Sequence, residues 1–285
     1  MANSLAALRA DIARSMGLLI TGAVTGEAGG STTQVYDHHG LAEYDEAGAL
    51  RKCLLYISYD NGGAAAAPEG QSRFITSYSG VNKCMGLVEP FTAAPAEFDL
   101  YEVYRAYLPI AAWNTAVNQA ILDAWPQVYA CEIYDVASTG TDSYALPNTA
   151  EAVVAVYVQQ TGARVGWPGY LVPPSAYQVT GTPGTDLFCR LLNSPGLAMR
   201  VIRFITKAHY AELATNAATT DLDHDYIVAA GMAYMYQQLQ GVAGGQADIS
   251  RYIQLMAHWQ GVAAQRRAEL AADLLGVPVA GGKAK

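Results

Sequence analysis

Charge is what this sequence has least of. Asp, Glu, Lys and Arg together make up 15% of the 285 residues, against 52% hydrophobic residues, where soluble domains carry roughly 25% charge. Phenylalanine is scarce too, with 5 Phe against 19 Tyr. A surface poor in charge and rich in Ala and Tyr suits a chain covered by partners; the Ala and Gly bias of a GC-rich genome accounts for the same composition. The few charges sum to −8. That argues against a grip on nucleic acid through its phosphates, while it suits the wall of a passage along which DNA slides without sticking. No apolar run reaches the ~18 residues of a membrane span. The first residues, Met1-Ala2-Asn3-Ser4, lack the basic region of a secretory signal. Cys53, Cys84, Cys131 and Cys189 are widely separated and form no Cys-x-x-Cys pair. They read as reduced cysteines of a cytoplasmic product, with one or two pairings left open.

Catalytic and metal-binding patterns are equally thin. Asp221, Asp223 and Asp225 imitate the first ligands of a calcium loop, but Tyr226 stands at the required Gly and Met232 at the bidentate Glu. Capping of the helix that follows is the better reading. Asp37-His38-His39 place neighbouring side chains on opposite sides of a strand end and have no second ligand pair, so a surface turn is expected. Residues 26–33 are glycine-rich without the Lys of a phosphate loop. His209, His224 and His258 meet no framed nucleophile, and no Gly-x-Ser-x-Gly elbow occurs. Asp99 and Glu102, imagined as glycosidase carboxylates, face opposite ways on a strand, which favours salt-bridge or surface roles. Trp167, Tyr170 and Tyr177 offer a sugar-stacking platform, although packing within turns explains them better. The expectation is a chain without catalytic residues, cofactor or metal.

The most informative stretch is 200–240. A β-branched and aromatic run at 199–205 leads through a polar loop to Asp221-Leu222-Asp223-His224-Asp225, and then to eleven uncharged residues, 226–236. A helix with no charged face should be packed all round, by its own chain or by others. Ala229, Ala230 and Gly231 would let neighbouring backbones come close. The rest follows in chain order. Leu5, Leu8, Ile12 and Met16 form the stripe of a first helix over 4–15, with Arg9, Asp11 and Arg14 off it, and a Gly/Thr connection occupies 21–31. Strands are expected at 32–36, 53–59, 72–78, 83–88 and 100–104, a helix at 109–125 stopped by Pro126, and strands at 129–134, 152–159, 170–172, 187–192 and 199–205. A last helix over 248–275 carries Ile249, Tyr252, Ile253, Met256, Trp259, Ala263, Leu270 and Leu274, interrupted by Arg266 and Arg267.

The fold class is therefore α+β, with helices flanking two small antiparallel β modules, barrel- or sandwich-like, and a C-terminal helix pair. The divisions are an N-terminal helix (1–20), a first β module (21–108), a connecting helix (109–126), a second β module (127–207), a helical region (208–275) and a tail (276–285). Ile227, Ala230, Gly231, Tyr234, Met235, Trp259, Arg266 and Arg267 are the candidate residues for a subunit or partner interface.

Several segments together resemble a known family. Residues 71–78 leading to 89–103 give a strand–proline–strand pattern, with Phe98 where the family usually has Gly before the Asp. Residues 116–121, then 200–205, His209, Leu213, Thr219-Thr220-Asp221 and 226–230, follow in the family's order. The pattern resembles virion proteins of tailed bacteriophages that form the neck. The resemblance implies a head-to-tail connector, an adaptor of about twelve copies beneath the portal. Its implied partners are itself, the portal and a further neck or tail protein, with DNA only passing through the channel and no membrane. Its implied place is the virion neck, after synthesis in the host cytoplasm. No residue-level portal contact carries over. The alternatives are a tail-completion or capsid-associated protein, or a carbohydrate-binding β module of a tail adhesin.

Overall fold

The computed structural model describes residues 2–25, 31–61, 68–138, 141–159, 170–192 and 200–276. In chain order the first elements are β1 (Asn3–Ser4), α1 (Leu5–Ser15), β2 (Leu19–Ala23), β3 (Gln34–Tyr36), β4 (Leu54–Tyr59), β5 (Ser72–Ser79), β6 (Cys84–Leu87), β7 (Leu100–Tyr104) and α2 (Ile110–Leu122). There follow β8 (Ala130–Ala137), β9 (Ser143–Ala145), β10 (Ala152–Val158), β11 (Tyr170–Val172), β12 (Tyr177–Thr180), β13 (Phe188–Leu191), β14 (Val201–Ala208), β15 (Thr219–Thr220), α3 (His224–Val242) and α4 (Gln246–Gly276). The chain is thus mixed α+β with antiparallel sheets and a C-terminal helix pair. It divides into two units, Met1–Ala120 with Leu213–Ala264, and Ile121–Glu212 with Gln265–Lys285.

In the first unit six strands form one antiparallel sheet in the order β2-β7-β4-β5-β6-β3. Register shifts at Ile57/Tyr59 and Ile75/Ser77 bend it, as bulges do. The two edges approach: the Thr25 N–H, just past β2, donates to the Tyr36 carbonyl of β3 at 2.9 Å. The curled sheet is a half-barrel around Val35, Leu41, Leu50, Leu55, Ile57, Ile75, Met85 and Val103, all buried. β2 occupies part of what the sequence presents as a flexible Gly/Thr connection. Gly22 lies in it because a Cβ there would meet Asp37 Oδ2 at 2.3 Å and the Tyr101 hydroxyl at 2.4 Å. The glycine makes room for a buried hydrogen bond rather than for flexibility.

Helix α1 starts where the Ser4 hydroxyl accepts the Ala7 N–H at 3.2 Å. Leu5, Leu8 and Ile12 are buried, as their spacing predicts, but so is Arg9, fully. The sequence pattern puts Arg9 off the apolar stripe; the structure corrects this. Its Nε donates to the Tyr104 hydroxyl at 2.8 Å, Nη1 to Asn114 Oδ1 at 3.1 Å and to Asn216 Oδ1 at 3.0 Å, and Nη2 pairs with Glu102 at 3.3 Å. The guanidinium also lies over the Tyr56 ring, 4.6 Å from its centre. Burial opposes its charge, yet Tyr104 and Glu102 more than offset that and hold its pKa above the ordinary arginine value.

The second unit is a sandwich. One sheet runs β11-β10-β14-β8 and the other β12-β13-β9. Val156, Val158, Ile202 and Phe204 from the first share a core with Tyr144, Cys189 and Leu191 from the second, each strand alternating inward and outward residues. Burial raises the Cys189 thiol pKa to about 11. β9 and β12 were not apparent in the sequence: both are short, and half or more of each is exposed. Residues 26–30, Gly62-Gly63, the 166–169 turn and most of the tail lie outside the described residues.

Arg9→Ala leaves Glu102 buried and unpaired. We expect a loss of about 3–5 kcal/mol of stability, measured by denaturant unfolding; a change below 1 kcal/mol would mean that Arg9 is not a structural hub.

Candidate interaction surface

Helix α3 begins at Asp223, whose carboxylate accepts the Tyr226 N–H at 2.9 Å. Capping is therefore the role of this aspartate, as the sequence suggests, with Asp225 in the first turn where the helix dipole favours negative charge. The uncharged stretch is packed on nearly every side, and by its own chain. Ile227 and Met235 are fully buried, and Ala230 and Gly231 are buried as well. A Cβ on Gly231 would meet the Ile12 side chain of α1 at 2.3 Å. Of the two ways of covering this helix that its sequence leaves open, its own chain supplies the cover at four of the candidate interface residues: Ile227, Ala230, Gly231 and Met235 are buried within the first unit, with α1 against Gly231.

Tyr234 differs. It is half-buried and lines an open groove of about 360 Å³ with Ala112, Thr115, Gln119, Gln237 and Gln238, between α2 and α3. Trp259 is half-exposed on α4, its ring edge-on to His258 at 5.1 Å. Within the first unit α4 is held to α3 by the Tyr236–Tyr252 ring pair at 6.1 Å and by Gln240 Nε2 against Met256 Sδ at 3.5 Å. Its apolar stripe is only partly covered, with Ile253 45% and Val262 37% exposed. In the second unit Arg266 pairs with Glu269 at 3.0 Å. Arg267 donates to the Asp123 carbonyl at 2.8 Å, just past the end of α2. That is the end of a helix where a cation is favoured, so Arg267 serves its own chain.

The other polar motifs resolve into structural roles. Asp37 is fully buried, accepts the Tyr101 hydroxyl at 2.5 Å, and caps the turn through the His39 and Gly40 N–H groups, each at 2.8 Å. His38 and His39 are exposed on the turn. Asp99 is also buried, and its two oxygens accept the Asn61 and Ala96 N–H groups at 2.9 and 2.8 Å. Burial raises its pKa, as does a hydrogen bond with Asp60. Glu102 pairs with Arg9. Tyr177 packs against the second unit's core, whereas Tyr170 is 41% exposed on an edge strand; Trp167 lies outside the described residues. Among the described residues no group of three or more His, Cys, Asp or Glu side chains is arranged to hold a metal ion. No described helix is long and apolar enough to cross a membrane.

Surface features that the sequence reading missed are apolar. Phe98, 61% exposed, adopts φ +71°, a conformation glycine takes without strain. Phe98 stands beside exposed Leu100, whose cross-strand neighbour Tyr59 is 51% exposed. In the second unit, Ile133 and Leu171 are 61% and 53% exposed on the outer face of the four-stranded sheet.

No protein-family model matches the chain, and no curated protein sequence does.

Two outcomes follow from this geometry. Phe98→Gly relieves the left-handed strain at a small entropic cost, and should raise stability by about 0.5–1 kcal/mol; a lower unfolding midpoint would refute the strain argument. His224 Nδ1 and Nε2 lie 3.0 Å from Asp225 and Asp11, and hydrogen bonds to Asp225 and then Asp11 raise its pKa. A raised histidine pKa contributes stability that is complete below the unfolded value of ~6.5 and lost as pH rises through the folded one. Wild type should therefore lose its advantage over His224→Gln as pH rises above ~6.5 through the raised folded-state value, by a small amount because the ring is partly exposed. An unchanged difference between pH 5.5 and 8.5 would refute this.

Proposed function

We propose that the protein is a structural component of a tailed-phage virion, a ring-forming head-to-tail connector bound below the portal and lining the DNA exit channel. The observation that carries this reading is how those segments of the resemblance that lie in the first unit meet there; 200–205 and His209 belong to the second unit. Asn118, from the helix segment, donates from Nδ2 to the Leu213 carbonyl at 3.2 Å and accepts the Leu213 N–H on Oδ1 at 2.8 Å. Residues 72–78 lie in β5, Thr219-Thr220 form β15 against β1, and 226–230 lie in the first turns of α3. Motifs 95 residues apart in the chain thus meet through a reciprocal side-chain-to-backbone pair, which supports treating their order as one pattern.

Physical features point the same way. The apolar stripe of α4 is incompletely covered in the monomer. A net charge of −8 keeps a channel wall from binding DNA tightly. A ring needs a heterologous interface, one patch on each subunit meeting a different patch on the next.

The test is native mass spectrometry of the purified chain alone and with the portal from the same genome. A ring or portal complex of about twelve copies is expected. A monomer indifferent to portal would overturn the connector reading, and binding to a tail component instead would move it to tail completion.

A further inference from the structure

The four-stranded sheet of the second unit ends on an unusually open edge. β8 runs for eight residues, Ala130–Ala137, and pairs residue for residue with β14 from Ala130↔Ala208 to Ala137↔Val201, with no register shift. Among the described residues no strand pairs with its other side. Natural sheets guard such edges with proline, lysine, a bulge or a covering loop. β8, Ala-Cys-Glu-Ile-Tyr-Asp-Val-Ala, has neither proline nor lysine and no bulge. Its two acidic residues are held by their own chain. Asp135 takes two hydrogen bonds from Arg203 at 2.7 Å each, and Glu132 accepts the Thr149 hydroxyl at 2.7 Å. A row of unpaired backbone N–H and C=O groups is chemically specific, since another extended strand is what satisfies it, and the three residues of β11 would pair with part of it.

We infer that this edge takes the opposite edge strand, β11, of a second copy of the chain, so that neighbouring subunits share a continuous antiparallel sheet. The choice of a second copy rests on the ring reading above and on two properties of the sheet. The first is direction. Each neighbouring pair in β11-β10-β14-β8 is antiparallel, so β8 and β11 run oppositely, and a copy carried around a rotation axis presents β11 antiparallel to β8. The second is the outer face. Register places Leu171, Tyr157, Arg203 and Asp135 in one cross-strand row, with Ile205 and Ile133 in the next row on the same face. Ile133 on one edge and Leu171 on the other are both largely exposed. Head-to-tail pairing makes them neighbours across the junction, covering apolar surface that each subunit alone leaves in water. The contact joins two different edges, as a closed ring requires.

The test uses full-length chain in which exposed Cys131 is replaced (Cys131→Ser) and cysteines are placed on both edges, Ile133→Cys with Leu171→Cys, with a short bismaleimide as cross-linker. Both positions are exposed, so folding is retained and is checked by circular dichroism. The expected result is a ladder of covalent multimers from the double variant, and a dimer and nothing larger when the two single variants are mixed. With exposed Cys131 kept as the edge label in place of Ile133→Cys, the Leu171→Cys chain should still give the ladder, and adding Ile133→Lys should remove it from a folded chain. No multimers from the double variant, or products that stop at a dimer through Ile133→Cys alone, would overturn the inference, the latter indicating two-fold pairing of β8 with itself. Portal binding is recorded separately by native mass spectrometry. A portal-bound ring without the ladder sinks the edge pairing and leaves the connector reading intact; a ladder in a chain that ignores portal does the reverse.

Discussion

A fully buried guanidinium sets the terms for the first unit. Removing Arg9 from water is expensive unless nearly every donor finds an acceptor, and it finds them on four separate pieces of chain: Tyr104 and Glu102 in β7, Asn114 in α2, Asn216 before β15, and the face of Tyr56 in β4. The acceptors are themselves tied together. The Tyr104 hydroxyl donates to Glu102 at 2.5 Å, and Asn216 Nδ2 donates to the Tyr56 hydroxyl. Such a network is worth having only when complete, because a half-satisfied one is worse than an apolar core. The N-terminal helix, the half-barrel, α2 and the segment leading into α3 are therefore fixed together or not at all. The paired backbones β1 and β15, together with the Leu5 and Ala6 N–H groups bonded to the Ala218 and Asn216 carbonyls, extend the same junction.

A second buried polar group does for the barrel's seam what Arg9 does for its flank. Asp37 binds the Tyr101 hydroxyl on one side and two turn N–H groups on the other, and Gly22 gives it room. Burial comes first among the causes that push the Tyr101 phenol far above its ordinary pKa, followed by the bond to Asp37, so it stays a donor at any ordinary pH. Aspartates that look like metal or acid–base candidates in the sequence act here as clamps on backbone, Asp37 at one turn, Asp99 at another and Asp223 at the start of α3.

The sequence made the classes of element plain and their partnerships obscure. The β-branched and aromatic run at 199–205 and the uncharged run at 226–236 are local signals, and the structure bears them out as β14, at 201–208, and the buried helix α3. What covers α3 is not local. That Ile12 fills the space above Gly231 depends on a contact across more than two hundred residues, and helical periodicity carries no trace of it. Arg9 stands off the apolar stripe for a related reason: the spacing of Leu5, Leu8 and Ile12 carries no sign that Glu102 and Tyr104 wait for it. β2 was hidden by glycine, which signals a loose connection just as strongly as a tight approach. Phe98 is the opposite case. An aromatic residue holds a left-handed backbone there, which no hydrophobicity pattern reveals.

These placements move the weight of the connector proposal. The uncharged helix first suggested subunits packing around α3, yet its apolar surface is spent inside its own unit. Surface that remains uncovered lies elsewhere: on α4 at Ile253 and Val262, at the barrel end around Phe98 and Leu100, and on the outer face of the second unit's sheet at Ile133 and Leu171. An exposed side chain asks only for something apolar, whereas an open strand edge also demands hydrogen bonds at a fixed spacing of ~4.8 Å between strands. Of these surfaces, the edge at β8 is therefore the one whose chemistry constrains its partner most. A chain this poor in charge has few repulsive groups with which to keep such an edge unpaired, so low charge density and an unguarded strand favour the same outcome, association through backbone.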